Sequence, residues 1–262
     1  MVNIIGDKTG SKYDPNLAER LNKEVEEKIR RERLEKKKLK KTELKPKQES
    51  PVTEPGIITP NDNSWLIEND EYTIQLSKSL IPSTTQANQI NDYNTNPTAF
   101  KPASYPDIFL IGQMLYHSHK QIGEILNFLT ESFQNNWIQT SSGILYKSNG
   151  KDEIIHDKGM SSEYKHLTDL IGSDGEVVQA DEEALKYLTG LKDLDEIKEI
   201  AQFLTSKDKT YIWRFNKKPD SDTYRVARFG ASSGGAILYC GRNADYSVPA
   251  LGVRVAKKME VN

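Results

Sequence analysis

Residues 211–256 read YIWRFNKKPDSDTYRVARFGASSGGAILYCGRNADYSVPALGVRVA, and their alternation sets the expected fold class. Tyr211, Trp213 and Phe215 alternate with Ile212, Arg214 and Asn216, the period of a half-buried strand. Tyr224 to Phe229 predicts a second strand, apolar on both faces apart from Arg225 and Arg228. Ala236, Leu238 and Cys240 share a face in a third, and Leu251, Val253 and Val255 share one in a fourth. Between them, Ser232-Ser233 and the run from Gly241 to Ser247 have turn and loop chemistry.

Moving toward the N-terminus, the period changes. Asp181 to Leu188, with acids in its first turn and Gly190 as its stop, predicts a short helix. Leu194, Ile197, Ile200, Ala201 and Leu204 place a second on one apolar face. Trp137 to Thr140 and Ile144 to Lys147 read as strands joined by a Ser141-Ser142-Gly143 turn, with Glu153 to His156 as a further strand. Before these, Pro106-Asp107 is a good helix start, and Ile108, Ile111, Leu115, Ile122, Ile125 and Leu129 follow at alternating spacings of three and four or their sums. The expected helix is about 25 residues long, interrupted in its stripe only by Ser118, and could pair with a copy of itself. The fold class expected is α+β, helices first and an antiparallel sheet last.

The first 104 residues have a different texture. Residues 17–47 carry thirteen Lys or Arg against seven Glu, a local +6 in a chain of net −2, so the remainder sums to −8. Their apolar residues drift from a spacing of four to one of five, which sustains no coiled-coil seam. A solvated charged helix is expected, with a basic arm for nucleic acid or an acidic partner as the alternative. Seven of the eleven prolines fall between Pro46 and Pro102, among many Ser, Thr, Asn and Gln residues, which predicts a tether over 48–104. Within it, Ser64-Trp65-Leu66-Ile67 and Tyr72-Thr73-Ile74 are a docking segment or a binding motif. The expected organisation is therefore disorder over 1–16, a charged helix over 17–47, a linker over 48–104, a long helix over 105–135 and a folded domain over 136–262.

Composition excludes several classes of function. Apolar residues make up 36% of the chain, below the roughly 45–50% of a fully packed protein, and charged residues 28%. No apolar run approaches the roughly 18 residues of a membrane span, and Met1 to Lys8 lacks the features of a secretory signal. A cytoplasmic location is expected, with surface display as the alternative. A single cysteine, Cys240, leaves no disulfide framework and no Cys-rich zinc site, and its place on an inward strand face predicts a buried structural thiol. His117 and His119 are two apart, so on a helix they diverge and cannot share an ion. His156 and His166 lack a partner at a metal-binding spacing, and Gly172-Ser173-Asp174-Gly175 is a turn without the Gly-Lys-Ser/Thr of a phosphate loop. No metal and no cofactor is expected.

Trp213-Arg214-Phe215-Asn216, Arg225-Val226-Ala227-Arg228-Phe229, Tyr239-Cys240-Gly241-Arg242-Asn243 and the closing Ala250-Leu251-Gly252-Val253-Arg254-Val255-Ala256 together resemble one protein family. They are similar to C-type-lectin-like domains of the formylglycine-generating-enzyme superfamily, in particular the branch of variable proteins of archaeal diversity-generating retroelements and their non-diversified relatives. The resemblance covers about residues 205–258 clearly and 106–258 loosely. It implies a rigid frame, to which Trp213, Gly252 and Arg254 would belong, presenting a ligand face of exchangeable residues. It also implies no oxidase activity, because the enzymes of that superfamily need a pair of cysteines. The calcium-site motifs of sugar-binding C-type lectins are absent, and the nearest fragment, Lys218-Pro219-Asp220, puts a cation where calcium wants oxygen.

The ligand face expected is Ser232, Ser233, Tyr239, Arg242, Asn243, Asp245, Tyr246 and Ser247. Its residue types suit recognition independently: Tyr offers large amphipathic area at small entropy cost, and Ser, Gly and Asn adapt their hydrogen bonds. The same small polar residues also serve any connecting loop. The function expected is non-catalytic recognition of a protein or other macromolecule. The alternative is an assembly protein that oligomerises through helix 106–133.

Overall fold

A computed structural model describes residues 58–60, 62–96, 98–118 and 122–258. The disordered stretch expected over 1–16 and the charged helix expected over 17–47, with its nucleic-acid alternative, lie outside the described residues. What is described is mixed α+β with mostly antiparallel pairing. Among the described residues no helix is long and apolar enough to cross a membrane.

Strands β1 (Ile58–Pro60), β2 (Ser64–Glu68), β3 (Tyr72–Ser77), β4 (Ile81–Thr84) and β5 (Lys101–Pro102) and helix α1 (Gln86–Thr95) all fall where the tether over 48–104 was expected. That expectation fails over the described part of the stretch because its apolar residues are concentrated at positions that join the core. Trp65, Ile67, Ile74 and Leu76 are buried, and the polar Gln86 and Gln89 are buried with them. Thr85 caps α1 by accepting from the Asn88 amide. Among the described prolines of the stretch, Pro60 and Pro102 end their strands and Pro82 lies in the edge strand β4, positions that proline tolerates.

The single helix expected over 105–135 is two, α2 (Tyr105–Tyr116) and α3 (Gly123–Asn135), with α2 ending just before Ser118, the residue that interrupts the apolar stripe. Ser104 caps α2, its hydroxyl accepting from the Asp107 amide while the Asp107 carboxylate accepts from the Ser104 amide. The stripe is not free to pair with a second copy, because Ile108, Ile111, Leu115, Ile125 and Leu129 are in the molecule's own core. Gly112 lets α2 press against α5 (Leu194–Thr205); a Cβ there would meet Ile200 at 2.5 Å. The remaining helix, α4 (Glu182–Thr189), stops at Gly190, whose φ of 77° suits glycine.

Strand β6 (Ile138–Tyr146) is one continuous strand through the Ser141-Ser142-Gly143 segment expected as a turn. Each of those residues has a local reason to stay extended. Ser141 donates its hydroxyl proton to Asp157, and the Ser142 hydroxyl bonds to His156 Nδ1 and accepts from the Tyr105 amide. Gly143 leaves room for the Tyr224 side chain, whose hydroxyl oxygen would lie 2.0 Å and nearest ring carbon 2.4 Å from a Cβ.

Beside β6 lie β7 (Asp152–His156), β8 (Tyr164–Thr168), β9 (Gly175–Glu176), β10 (Thr210–Trp213), β11 (Thr223–Ser232), β12 (Gly235–Arg242) and β13 (Val248–Ala250). They make a sheet of order β4-β13-β6-β11-β12-β10-β9, with β7 and β8 branching from β6. Pairing is antiparallel except for β10 with β12 and β13 with β6. Under the sheet, Phe229 packs against Tyr105, Phe109 and Phe133 with ring centroids 4.8–6.2 Å apart.

The last strand, β14 (Gly252–Lys257), leaves this sheet and pairs with β3 and β5. Gly252 is required by close approach, since a Cβ would lie 2.9 Å from Phe100. Arg254 covers that seam: it stacks over the Phe100 ring at 4.5 Å and donates to Gln75 and to the Thr98 carbonyl.

Candidate ligand-binding face

The site begins with outward residues of the paired strands β12 and β10 and with the residue that precedes β6. Tyr239 on β12 lies opposite Trp213 on β10 in the parallel register, and Trp137 immediately precedes β6. The three rings meet with centroids 5.3–6.2 Å apart, and Trp213 is 38% exposed. Trp213 is thus a surface residue of the face and not part of the internal frame. The alternation at 211–213 is legible in the sequence, but its buried member is Ile212.

The loop after β12 continues this aromatic surface. Arg242 sits over the Tyr246 ring at 4.6 Å and over Tyr239 at 5.6 Å, and Tyr246 is 51% exposed. Asn243, Asp245 and Ser247 are exposed, with the Asn243 amide donating to Asp245 at 3.2 Å. Planar aromatic and guanidinium groups of this kind bury much area with few torsions to freeze.

What holds the loop is a buried polar relay that sequence reasoning missed. Arg228, 2% exposed, donates from Nη2 to the Tyr246 carbonyl at 2.9 Å and to Gln139 at 3.3 Å. Burial, and then repulsion from Arg242, pulls its pKa down to about 10. Gln139 donates to Gln89 at 2.8 Å, and Gln89 donates to the Val248 carbonyl at 3.1 Å. The loop is therefore tied down at Tyr246 and Val248, and Pro249 stiffens its exit. The available signal was an arginine inside an otherwise apolar strand, which must find partners if it is buried.

Of the residues expected on the face, the structure brings together Tyr239, Arg242, Asn243, Asp245, Tyr246 and Ser247. It does not bring Ser232 and Ser233 to them. Ser232 pairs with Gly235 at one end of the β11–β12 hairpin, whereas Arg242 pairs with Val226 at the other. Seven residues of strand at about 3.3 Å each put roughly 20 Å between the two ends.

Other groups that could carry chemistry are spent internally. Cys240 is fully buried, and burial pushes its thiol up to about 12, far from the thiolate a nucleophile needs. The buried His156 bonds to Ser142 through Nδ1 at 2.8 Å and to the Tyr187 carbonyl through Nε2 at 2.9 Å, so both ring nitrogens are occupied. His117 lies 3.6 Å from Glu196, and His119 is outside the described residues. Among the described residues no three His, Cys, Asp or Glu side chains converge as a metal site. No family model, curated protein or solved structure matches this chain.

Proposed function

We propose that the chain is a non-catalytic recognition protein. A C-type-lectin-like frame, as the sequence resemblance implies, would present Trp137, Trp213, Tyr239, Arg242 and Tyr246 to a macromolecular ligand. The observation that carries this reading is the exposed Tyr246–Arg242–Tyr239–Trp213 surface on a loop that is already pinned from beneath. A pinned loop loses little conformational entropy on binding, and Tyr, Trp and Arg are the residue types that dominate interface energies. The α+β architecture and the antiparallel β11–β12 hairpin support the frame.

Affinity capture from the cells that express the protein, quantified for wild type and variants, tests the reading. Alanine at Tyr246 or Trp213 should each weaken the captured complex by about 2 kcal/mol, roughly 30-fold in Kd, while Ser233→Ala at the far end of the hairpin leaves it unchanged. Equal retention by Tyr246→Ala, Trp213→Ala and wild type would reject it. Diversification is tested separately in the neighbouring DNA. A near-copy of the codons for about residues 228–255, differing at adenines and lying beside a reverse transcriptase, would establish active diversification, and its absence would leave a fixed-specificity relative.

A further inference from the structure

Next to the loop, a cavity of about 360 Å3 opens between α1 and the turn after β7. Gln86, Ile90, Asn91, Lys158, Tyr224 and the loop residue Ala244 line it, and no acidic residue does. Lys158 is half-buried, with Nζ 3.1 Å from the centroid of the Tyr224 ring, and no ion pair engages it among the described residues. Burial lowers its pKa against the opposing pull of Glu163, whose carboxylate accepts from the Gly159 amide and makes no ion pair with Lys158. A ring face satisfies one side of an ammonium that carries three donors.

The position of that lysine is imposed by the backbone on either side. Asp157 adopts a φ of 49° and Gly159 one of 77°, and left-handed backbone at a non-glycine residue persists only where its surroundings enforce it. The Asp157 carboxylate accepts from Lys101, Ser141 and Ser162, and the Lys158 amide donates to the Ser141 carbonyl. Asn94 of α1 donates to the Gly159 carbonyl at 3.0 Å. The ring beneath the ammonium is fixed as well, because the Tyr224 hydroxyl donates to Gln86, whose own amide donates to the Thr140 and Ser142 carbonyls.

We infer that this cavity is a subsite for the side-chain carboxylate of an acidic peptide segment, with Lys158 as its counter-charge and Ile90, Tyr224 and Ala244 against the aliphatic stem. It deepens the recognition reading, since Ala244 belongs to the loop that would face the ligand. One ammonium among amides and apolar walls suits a singly charged group. A phosphate would call for several donors or a guanidinium fork.

The test titrates the 15N-labelled full chain with N-acetylglutamate N-methylamide, its glutamine counterpart and inorganic phosphate. The glutamate probe should shift the Gly159, Tyr224 and Ala244 amide resonances in a saturable way and bind at least tenfold more tightly than the glutamine probe. Lys158→Met, which keeps the stem over the ring, and Ala244→Trp, which fills the cavity and leaves the lysine, should each weaken it at least tenfold. Equal binding of the two amides, tighter binding of phosphate, or indifference to both substitutions would overturn the assignment. Trp213→Ala and Tyr246→Ala should leave the probe unaffected. Probe binding without macromolecular capture would thus refute the recognition reading alone, and capture without probe binding would refute the subsite alone.

Discussion

His156 shows how much one buried polar side chain can fix. Its ring joins Ser142 of β6 to the backbone of Tyr187 in α4, and the same Ser142 hydroxyl accepts from the Tyr105 amide at the start of α2. Burial pulls its pKa down from 6.5 to about 4, so the folded state holds it neutral. With the folded pKa below the unfolded one, its contribution to stability is full above about pH 6.5 and falls as the pH drops toward 4. In that window the unfolded chain takes up the proton first. Between pH 7.5 and pH 5, wild type should therefore lose about 2 kcal/mol more than His156→Asn in urea denaturation, and parallel losses in the two proteins would contradict this. Lys101 has the opposite sign: burial alone would lower it, but the carboxylates of Asp107 and Asp157 outweigh burial and push it up to about 12. Neither partnership is legible in a sequence, because the residues concerned lie in different elements and nothing local marks them as buried.

At the scale of elements, β6 carries the clearest lesson. Ser141-Ser142-Gly143 has the composition of a turn, and a turn is expected from it. The tertiary partners of both serines, and the tyrosine ring lying over the glycine, make it the middle of a nine-residue strand instead. Gly143→Ala separates the two. An exposed turn would tolerate it, whereas here it should cost at least about 2 kcal/mol by thermal or urea denaturation, because the Tyr224 ring must move. The long apolar stripe over 108–129 was read correctly as helical, and its interruption at Ser118 marked the place where one helix becomes two. The two short helices at 182–205 were legible almost residue by residue, because acids, caps and the left-handed Gly190 are local signals. The candidate face was legible only in part: loop chemistry marked 242–247, but Trp213 and the buried Arg228 join it through strand register, and Trp137 through its place just before β6.

For the whole molecule, the pairing of β14 with β3 and β5 locks residues from both ends of the described chain into one core. A fragment of residues 105–262 should accordingly fail to fold, since β14 loses both its neighbours and the core loses Trp65, Ile67, Ile74 and Leu76. Circular dichroism and dispersed amide resonances check this, and a folded, cooperative fragment would show that the N-terminal strands are dispensable. By itself the sequence determined the class of each locally encoded element: the period-two strands from 211 onward, the capped helices, the inward Cys240 and the polar loop after Arg242. Those signals are written in propensity, capping and periodicity over a few residues, and they need no partner. Only the tertiary structure decided that the described part of the proline-rich stretch before Ala103 is largely strand and helix, that the helical stripe faces inward, and that Ser232 and Ser233 stand a hairpin's length from Tyr246. Each of these depends on which distant residues come to lie alongside, and burial against a partner can outweigh a local preference worth at most about 1 kcal/mol per residue.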